Sequence, residues 1–356
     1  RRGSDPLIHY GRHFGRTVRT FCRIQGLIKV GLAQSVELEL GRTTKEDLSA
    51  SERTEHELYR QLLKMIPGLE EKLCNGGEHD LFYIAETISK GSASSRSDDT
   101  KSLKSVIVDW ITPINGVLVP PIQRNVKTDR GYHHPRTGEL LCPVNLDWSD
   151  PNGQLLPSGD LWPRFLFQAY EYDPNDPWRG LFRSALLVSA FKHIFTSPSS
   201  VGKQNAGVSR ATRSCNARIH GMKSVTAPSI AYIATQVRFA LHSSPVFSRG
   251  DTVTDSEFFY NLIIELFEDP EEELEVQALL LWWNKQVFPT YVSGYRPVHQ
   301  DSVISRIKER RRLLKEAARA QAEGAEAPGG GEQASLTDPG NPGIPQEGPS
   351  GEGNAP

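Results

Sequence analysis

Several short segments of this sequence carry residue types that perform chemistry, but each lacks part of the pattern it would need. Residues 197–204 (SPSSVGKQ) resemble a phosphate-binding loop, which requires glycine at its first position and Ser or Thr after the lysine. Ser197 and Gln204 occupy those positions, so we interpret the segment as a flexible connecting loop. Ser200 and Lys203 have the spacing of a β-lactamase nucleophile pair, but the partner motifs are missing. Neither pattern predicts a catalytic site.

Histidine and cysteine residues do not form a set with metal-ligand spacing. Two groups come nearest, namely His133, His134 and Cys142, and the pair His9 and His13. Neither supplies a closed set of ligands at a characteristic spacing, so solvated imidazoles in turn-rich segments are the preferred interpretation. We therefore expect no metal and no cofactor, and the sequence favours a protein that is not an enzyme.

The adjacent carboxylates Asp98 and Asp99 are able either to bind magnesium or to cap a helix. Acidic side chains at a helix start accept hydrogen bonds from free N–H groups and interact favourably with the helix dipole. An apolar period predicts a helix at residues 100–111, directly after them. The Ser-rich residues 91–99 predict a break, because their first glycine closes a helix at residues 80–90. We prefer the cap.

Charge is unevenly distributed, although the formal net charge is only −2. Residues 177–250 contain ten Lys and Arg and no acidic residue, and we call them the basic block. Residues 251–284 contain ten acidic residues and no Lys or Arg, and we call them the acidic block. In the basic block, cations lie among Ser, Thr, Asn and Gly, which suits contacts with phosphate groups. The residues predicted to bind nucleic acid are Lys203, Arg210, Arg213, Arg218 and Lys223.

The charge blocks leave several functions open. The leading hypothesis is a non-enzymatic protein that contacts nucleic acid through the basic block. Alternatively, the two blocks neutralise each other in an interaction scaffold, or acidic residues 251–275 contact another protein. A further alternative is a metal-dependent nuclease derived from a mobile element. It requires three or more carboxylates in a cleft beside the basic segment.

Hydrophobic periodicity predicts a mainly α-helical protein. Capping residues followed by an apolar stripe predict helices at residues 51–66, 226–241 and 254–267. The pairs Asp176-Pro177 and Asp269-Pro270 each read as the start of a helix. Four dispersed cysteines and the absence of an apolar run of about 20 residues predict a soluble intracellular protein, nuclear or cytoplasmic, with no membrane partner.

These elements predict a single large irregular helical domain with a Pro-rich strap and a disordered C-terminal tail. The predicted divisions are a basic N-terminal segment (1–45), a helical domain (46–300) containing the strap (113–176), a basic amphipathic helix (301–323) and the tail (324–356). The tail is rich in Gly and Pro and cannot bury enough apolar surface to fold. Cations in the basic helix match a nuclear import signal: Lys308, Arg310, Arg311, Arg312 and Lys315.

A set of short phrases carries a family resemblance. They are residues 96–104 (RSDDTKSLK), 109–113 (DWITP), 140–143 (LLCP), 178–181 (WRGL), 191–200 (FKHIFTSPSS), 219–222 (IHGM), 230–241 (IAYIATQVRFAL), 255–260 (DSEFFY) and 282–289 (WWNKQVFP). Together they resemble an uncharacterised domain-of-unknown-function family of mushroom-forming (agaricomycete) fungi, over about residues 50–290. The resemblance implies no activity, cofactor or site residue, and the family's many copies suggest mobile elements or lineage-specific expansion.

Overall fold

The computed structural model describes residues 5–150, 158–197, 201, 215–247, 255–288 and 302–324. Within these residues the chain is helical, and its only β-structure is isolated bridges. The predicted mainly α-helical class is therefore confirmed. The predicted tail lies outside the described residues, except for Gly324. No helix in the described part combines the length and hydropathy that crossing a bilayer requires.

The chain divides into two units, residues 1–292 and 293–356. The first unit begins with five helices: α1 (Pro6–Thr17), α2 (Ile24–Glu39), α3 (Ala50–Met65), α4 (Leu69–Asn75) and α5 (Glu78–Ile111). Asp5 accepts a hydrogen bond from Leu7 N at 2.8 Å at the start of α1, and Ser49 and Glu52 form a capping box before α3. All five helices contribute to the smaller of two apolar clusters.

The rest of the first unit surrounds a buried central helix. It contains α6 (Pro135–Leu141), α7 (Ala185–Phe191), α8 (Asn216–Ile219), α9 (Ala227–Leu241), α10 (Ser256–Glu268) and α11 (Glu273–Val287). Every residue of α9 from Ser229 to Leu241 is buried. The larger apolar cluster joins α9 to α5, α7, α10 and α11, and Phe165 and Leu166 of the strap are fully buried in it. The second unit contains α12 (Val303–Gly324).

Most predicted helices are confirmed, but two predicted boundaries are wrong. The helices predicted at residues 51–66, 226–241 and 254–267 are α3, α9 and α10, within a few residues. Residues 91–99 are not a break, because α5 is one continuous helix of 34 residues. Asp176 does not start a helix either. The chain turns there, and α7 begins only after Ser184, whose Oγ accepts a hydrogen bond from Leu187 N at 3.2 Å.

Candidate anion-binding cleft

The middle of α5 is held against α1 by a backbone contact that only small residues allow. A Cβ atom on Gly11 would lie 2.2 Å from the carbonyl oxygen of Ile88. A Cβ atom on Gly91 would lie 2.3 Å from the carbonyl oxygen of Ile8. Any side chain at either glycine would overlap the opposite backbone, so glycine lets the two helices approach closely. The stretch of α5 that looks like a break in the sequence is therefore a helix–helix contact.

A buried network of Arg16, Asp99 and Tyr232 joins α1, α5 and α9. Arg16 Nε and Nη2 donate to the two Asp99 oxygens at 2.7 Å, and the Tyr232 hydroxyl donates to Asp99 Oδ2 at 2.6 Å. Burial opposes the charge on Arg16, but the Asp99 carboxylate and its hydrogen bonds outweigh burial and raise the pKa of Arg16. Asp98 pairs with Arg12 at 2.8 Å. The predicted capping role is wrong, because both carboxylates lie inside α5 and bind arginines of α1.

Two imidazole rings stack at the end of α8. The ring centroids of His13 and His220 are 4.3 Å apart, and the planes are 8° from parallel. Burial, followed by the charges of His220 and Arg16, lowers the pKa of His13 to about 3. Burial, followed by Arg16, lowers the pKa of His220 to about 4. Both rings are therefore neutral near pH 7. The start of α8, which carries His220 at its end, is fixed by the Asn216 amide, which donates to the Ile194 carbonyl at 2.5 Å.

A cleft of about 380 Å³ opens on the other flank of α5, beside the residues that follow α9. Its lining is Ala93, Arg96, Ser97, Thr100, Lys101, Lys104, Lys127, Phe239, Pro245, Val246 and Phe247, and we call it the basic cleft. The six residues from α5 recur every three or four positions, so they share one face of the helix. Four of the lining residues are cations and none is Asp or Glu. Such a cleft attracts anions.

The C-terminal end of α9 explains why one of these cations is buried. Lys127 Nζ donates to the Phe239 carbonyl at 2.5 Å, and Arg130 Nη1 donates to the Ala240 carbonyl at 3.0 Å. Terminal carbonyls of a helix lack intrahelical partners and carry partial negative charge, so cations stabilise them. Burial, followed by the charges of Arg130 and Lys104, lowers the pKa of Lys127 to about 7. Near neutral pH, an anion entering the cleft therefore favours the charged form of Lys127.

The other cations of the basic cleft differ in how firmly they are held. The Arg96 guanidinium lies 5.7 Å from the Phe21 ring centroid and 5.5 Å from that of Phe247, close enough for cation–π attraction. The side-chain ammonium groups of Lys101 and Lys104 make no hydrogen bond or ion pair with any residue that the structure describes. One fixed planar cation and two adaptable ones therefore face the same opening.

Only two of the residues predicted to bind nucleic acid belong to the described part of the chain. Arg218 lies in α8 and Lys223 in the segment that follows it, and both are exposed. Neither lines the basic cleft. Lys203, Arg210 and Arg213 lie outside the described residues. The basic cleft is thus a separate cationic feature from the predicted surface.

The basic cleft was not predicted from the sequence, because the Ser-rich residues 91–99 indicated a break in the middle of α5. If residues 91–111 are read as one helix, Arg96, Lys101 and Lys104 fall on one face, and this signal was available from the sequence. The position of Lys127 in the cleft was not predictable from the sequence. It comes from the irregular strap, where no periodicity indicates which way a side chain points.

The acidic block makes contacts of more than one kind. Glu268 pairs with Arg19 at 3.1 Å, and Arg19 does not belong to the basic block. Trp178 Nε1 of the basic block donates to Glu272 Oε2 at 2.6 Å, which is not an ion pair. Exposed acidic side chains continue along α10, the turn that follows it and α11: Glu265, Asp269, Glu271, Glu273 and Glu275. Mutual neutralisation of the two blocks stays a prediction.

The cations predicted to form an import signal lie on α12. All five are exposed: Lys308, Arg310, Arg311, Arg312 and Lys315. Arg312 Nη2 also pairs with Glu309 at 2.8 Å, one turn earlier on the same helix. Exposure makes these side chains accessible to a partner, and their role in import stays a prediction.

Within the described residues, no group of three or more His, Cys, Asp or Glu is placed to hold a metal ion. The described residues include two serine–histidine contacts: Ser35 Oγ lies 3.3 Å from His56 Nε2, and the shorter pair has Ser102 Oγ 2.6 Å from His193 Nε2. A catalytic triad would need a carboxylate that orients the imidazole. Asp99 influences His193 electrostatically, but its oxygens are already bound by Arg16 and Tyr232. We assign no catalytic role to the pair.

Comparison with protein-family models matches residues 90–288 to a family of unknown function (DUF6698). The match starts inside α5, later than the resemblance noted from the sequence, and includes Asp99 and Tyr232 but not Arg16. Comparisons with curated proteins and with solved structures find no match. Since the matched residues are more than half of the 356-residue chain, the protein belongs to the family of unknown function DUF6698.

Proposed function

We propose that this protein binds nucleic acid through the basic cleft, without catalysing a reaction on it. The observation that supports this function most directly is the composition of the cleft, which combines four cations and two aromatic rings with no carboxylate. Most contacts between proteins and nucleic acids are made to phosphate oxygens, by Arg, Lys and hydroxyl side chains. Ser97 places a hydroxyl beside the cations of α5, whereas the Thr100 hydroxyl already donates to the Arg96 carbonyl.

The predicted segment between Lys203 and Lys223 supplies a second set of cations. Its described members, Arg218 and Lys223, are exposed and carry no acidic neighbour in sequence. A chain of phosphates extends over many ångströms, so two separated cationic features are able to contact one strand. In this proposal the basic cleft binds the strand closely and the segment adds longer-range attraction.

The cellular setting is part of the same proposal. The short segments that carry the family resemblance favour an origin in a mushroom-forming fungus. The dispersed cysteines suit an intracellular location in the nucleus or cytoplasm. The exposed cations of α12 are compatible with nuclear import. Nuclear location would give the protein access to chromosomal DNA and nascent RNA.

Charge-removal variants test whether the basic cleft is the binding surface. The double variant Lys101→Ala/Lys104→Ala removes two cleft cations whose ammonium groups make no hydrogen bond or ion pair within the described residues. The matched control, Lys45→Ala/Lys285→Ala, removes two exposed lysines far from the cleft in sequence. Fluorescence anisotropy with a labelled oligonucleotide at several salt concentrations measures affinity and its salt dependence. We expect the cleft variant to reduce the slope of log K against log salt by about 1.4–1.8, since each of the two phosphate contacts contributes roughly 0.7–0.9.

Two results would contradict this assignment. Equal slopes for the cleft variant and its control would exclude the cleft as the phosphate-binding surface. If Arg210→Ala/Arg213→Ala/Arg218→Ala alone reduced the slope, binding would belong to the predicted segment instead.

A second candidate function is a protein-interaction scaffold. Leu274 on α11 is 78% exposed, and the acidic side chains Glu273 and Glu275 on either side of it are exposed too. An apolar side chain within an acidic face suits a basic partner that also carries an apolar anchor. A scaffold whose acidic face pairs with the basic block of a second copy predicts a mass that rises with concentration in sedimentation and falls in Leu274→Glu. A constant monomer mass, together with binding to nucleic acid, would contradict it.

A further inference from the structure

The basic cleft has two walls of different chemistry. One wall is the cationic face of α5, extended by Lys127. The other is apolar and consists of Pro245, Val246 and Phe247, which follow α9. Val246 is 70% exposed, so this wall faces the opening, and no residue that the structure describes covers it. A ligand that satisfies both walls needs an anionic group and a flat apolar group a short distance apart.

The position of Phe247 is fixed by its neighbours. Its ring meets the Phe239 ring edge-on, with centroids 5.0 Å apart, and stacks with Phe21 at 6.3 Å. The Arg96 guanidinium lies beside the same ring at 5.5 Å. A half-buried ring held from several sides loses little freedom when a ligand stacks on it, so it is already organised for binding.

The size of the cleft limits what enters it. A volume of about 380 Å³ is at the lower end of the range for small-molecule sites, which suits a ligand about as large as one nucleotide. In a duplex the bases are paired and stacked, so only the backbone and the base edges in the grooves are able to contact a concave site. A single strand also offers the faces of its bases, and these stack on aromatic side chains.

We propose that the basic cleft takes one unpaired nucleotide, with its phosphate on Lys101 and Lys104 and its base against Phe247, so that the protein prefers single-stranded to double-stranded nucleic acid. This inference rests on the proposed function and specifies its ligand. Stacking tolerates every base, so recognition is largely independent of sequence.

The test compares single and double strands with variants of the apolar wall. Full-length protein is titrated into labelled oligothymidylate of about 16 nucleotides, and separately into a duplex of the same length, at one salt concentration. Phe247→Leu keeps an apolar side chain but removes the ring, and Phe258→Leu removes a 45% exposed ring on α10 that does not line the cleft. Val246→Glu adds a negative charge at the opening without changing a buried residue, so it tests the site even if Phe247→Leu fails to fold.

We expect tighter binding to the single strand in the unaltered protein. Phe247→Leu should weaken single-strand binding about 5- to 150-fold, the factor for one base–aromatic stack, and change duplex binding less than about 2-fold. Val246→Glu should weaken single-strand binding, and Phe258→Leu should not. Equal affinity for both forms, or equal effects of the two phenylalanine variants, would overturn the single-strand inference while leaving nucleic-acid binding intact. Absence of binding to either form would overturn both proposals.

Discussion

Replacing Asp99 with alanine tests how strongly the buried network holds α1 to the rest of the fold. The Asp99 side chain is 9% exposed and Arg16 is 2% exposed, so water does not replace the lost carboxylate. Without it, Arg16 keeps a buried charge with no counter-ion, and the Tyr232 hydroxyl loses its acceptor. We therefore expect Asp99→Ala to be one of the most destabilising single changes in α5.

The size of the effect follows from the burial of the pair. Removing one partner of a buried ion pair destabilises a protein by about 3–5 kcal/mol. At roughly 2–4 °C per kcal/mol for a unit of this size, the melting temperature should fall by about 6–20 °C. The adjacent residue is a matched control. Asp98 also pairs with an arginine of α1, but its side chain is 64% exposed, so Asp98→Ala should lower stability by only about 0–1 kcal/mol.

Urea unfolding and thermal unfolding, both followed by far-UV circular dichroism, measure the two variants on one scale. A triple variant, Arg16→Met/Asp99→Leu/Tyr232→Phe, removes every polar member of the network together. It should recover much of the loss, because no charge or hydroxyl is left buried without a partner. If Asp99→Ala and Asp98→Ala differed by less than about 1 kcal/mol, the buried pair would not anchor α1.

Three further predictions concern the N-terminal helices and the family boundary. In urea unfolding, Gly11→Ala should lower the free energy of unfolding by about 1–3 kcal/mol, because the new Cβ would overlap the Ile88 carbonyl oxygen. Gly26→Ala in α2 is the control and should raise it by about 0.5–1 kcal/mol, because its Cβ would lie 4.0 Å from the nearest atom, Arg23 Cβ. The histidine pair should make stability fall as pH drops from about 6.5 toward 4, since the unfolded imidazoles take up protons before the buried ones do. His13→Phe/His220→Phe should flatten that dependence, and an unchanged pH profile would contradict it. A fragment of residues 90–288 should unfold at a much lower urea concentration than the whole chain, because it lacks the counter-ion of Asp99 and starts inside α5. An equal midpoint would show that the matched region folds independently.

Helices with strong local signals were predictable from the sequence. Ser49 caps α3 and Thr226 caps α9, and both helices occur where capping residues and an apolar stripe indicate them. Asp269 also caps the turn that leads into α11, where its Oδ1 accepts a hydrogen bond from Glu271 N at 2.9 Å. These signals involve residues within one turn of each other, which is the range over which a sequence pattern is informative.

The features that build the candidate site depend on contacts between distant residues. Gly and Ser have low helix propensity, so residues 91–99 look like a break. They pack as a helix against α1 through the close contacts of Gly11 and Gly91 and the ion pairs of Asp98 and Asp99. Arg16 and Asp99 are 83 positions apart, and Lys127 lies 112 positions from the carbonyl it binds. No periodicity links residues at such separations. The charge blocks were visible in the sequence, but they do not mark the basic cleft, most of whose cations come from α5.

The most direct test of nucleic-acid binding is the salt dependence of affinity in the unaltered full-length protein. Anisotropy of labelled single-stranded and double-stranded oligonucleotides at about 50 and 200 mM salt measures it. If the basic cleft and the segment from Lys203 to Lys223 together contact six or more phosphates, affinity should fall roughly a thousandfold or more across that range. Absence of binding at the lower salt concentration, or binding that does not respond to salt, would contradict the proposal that these cations hold a nucleic acid.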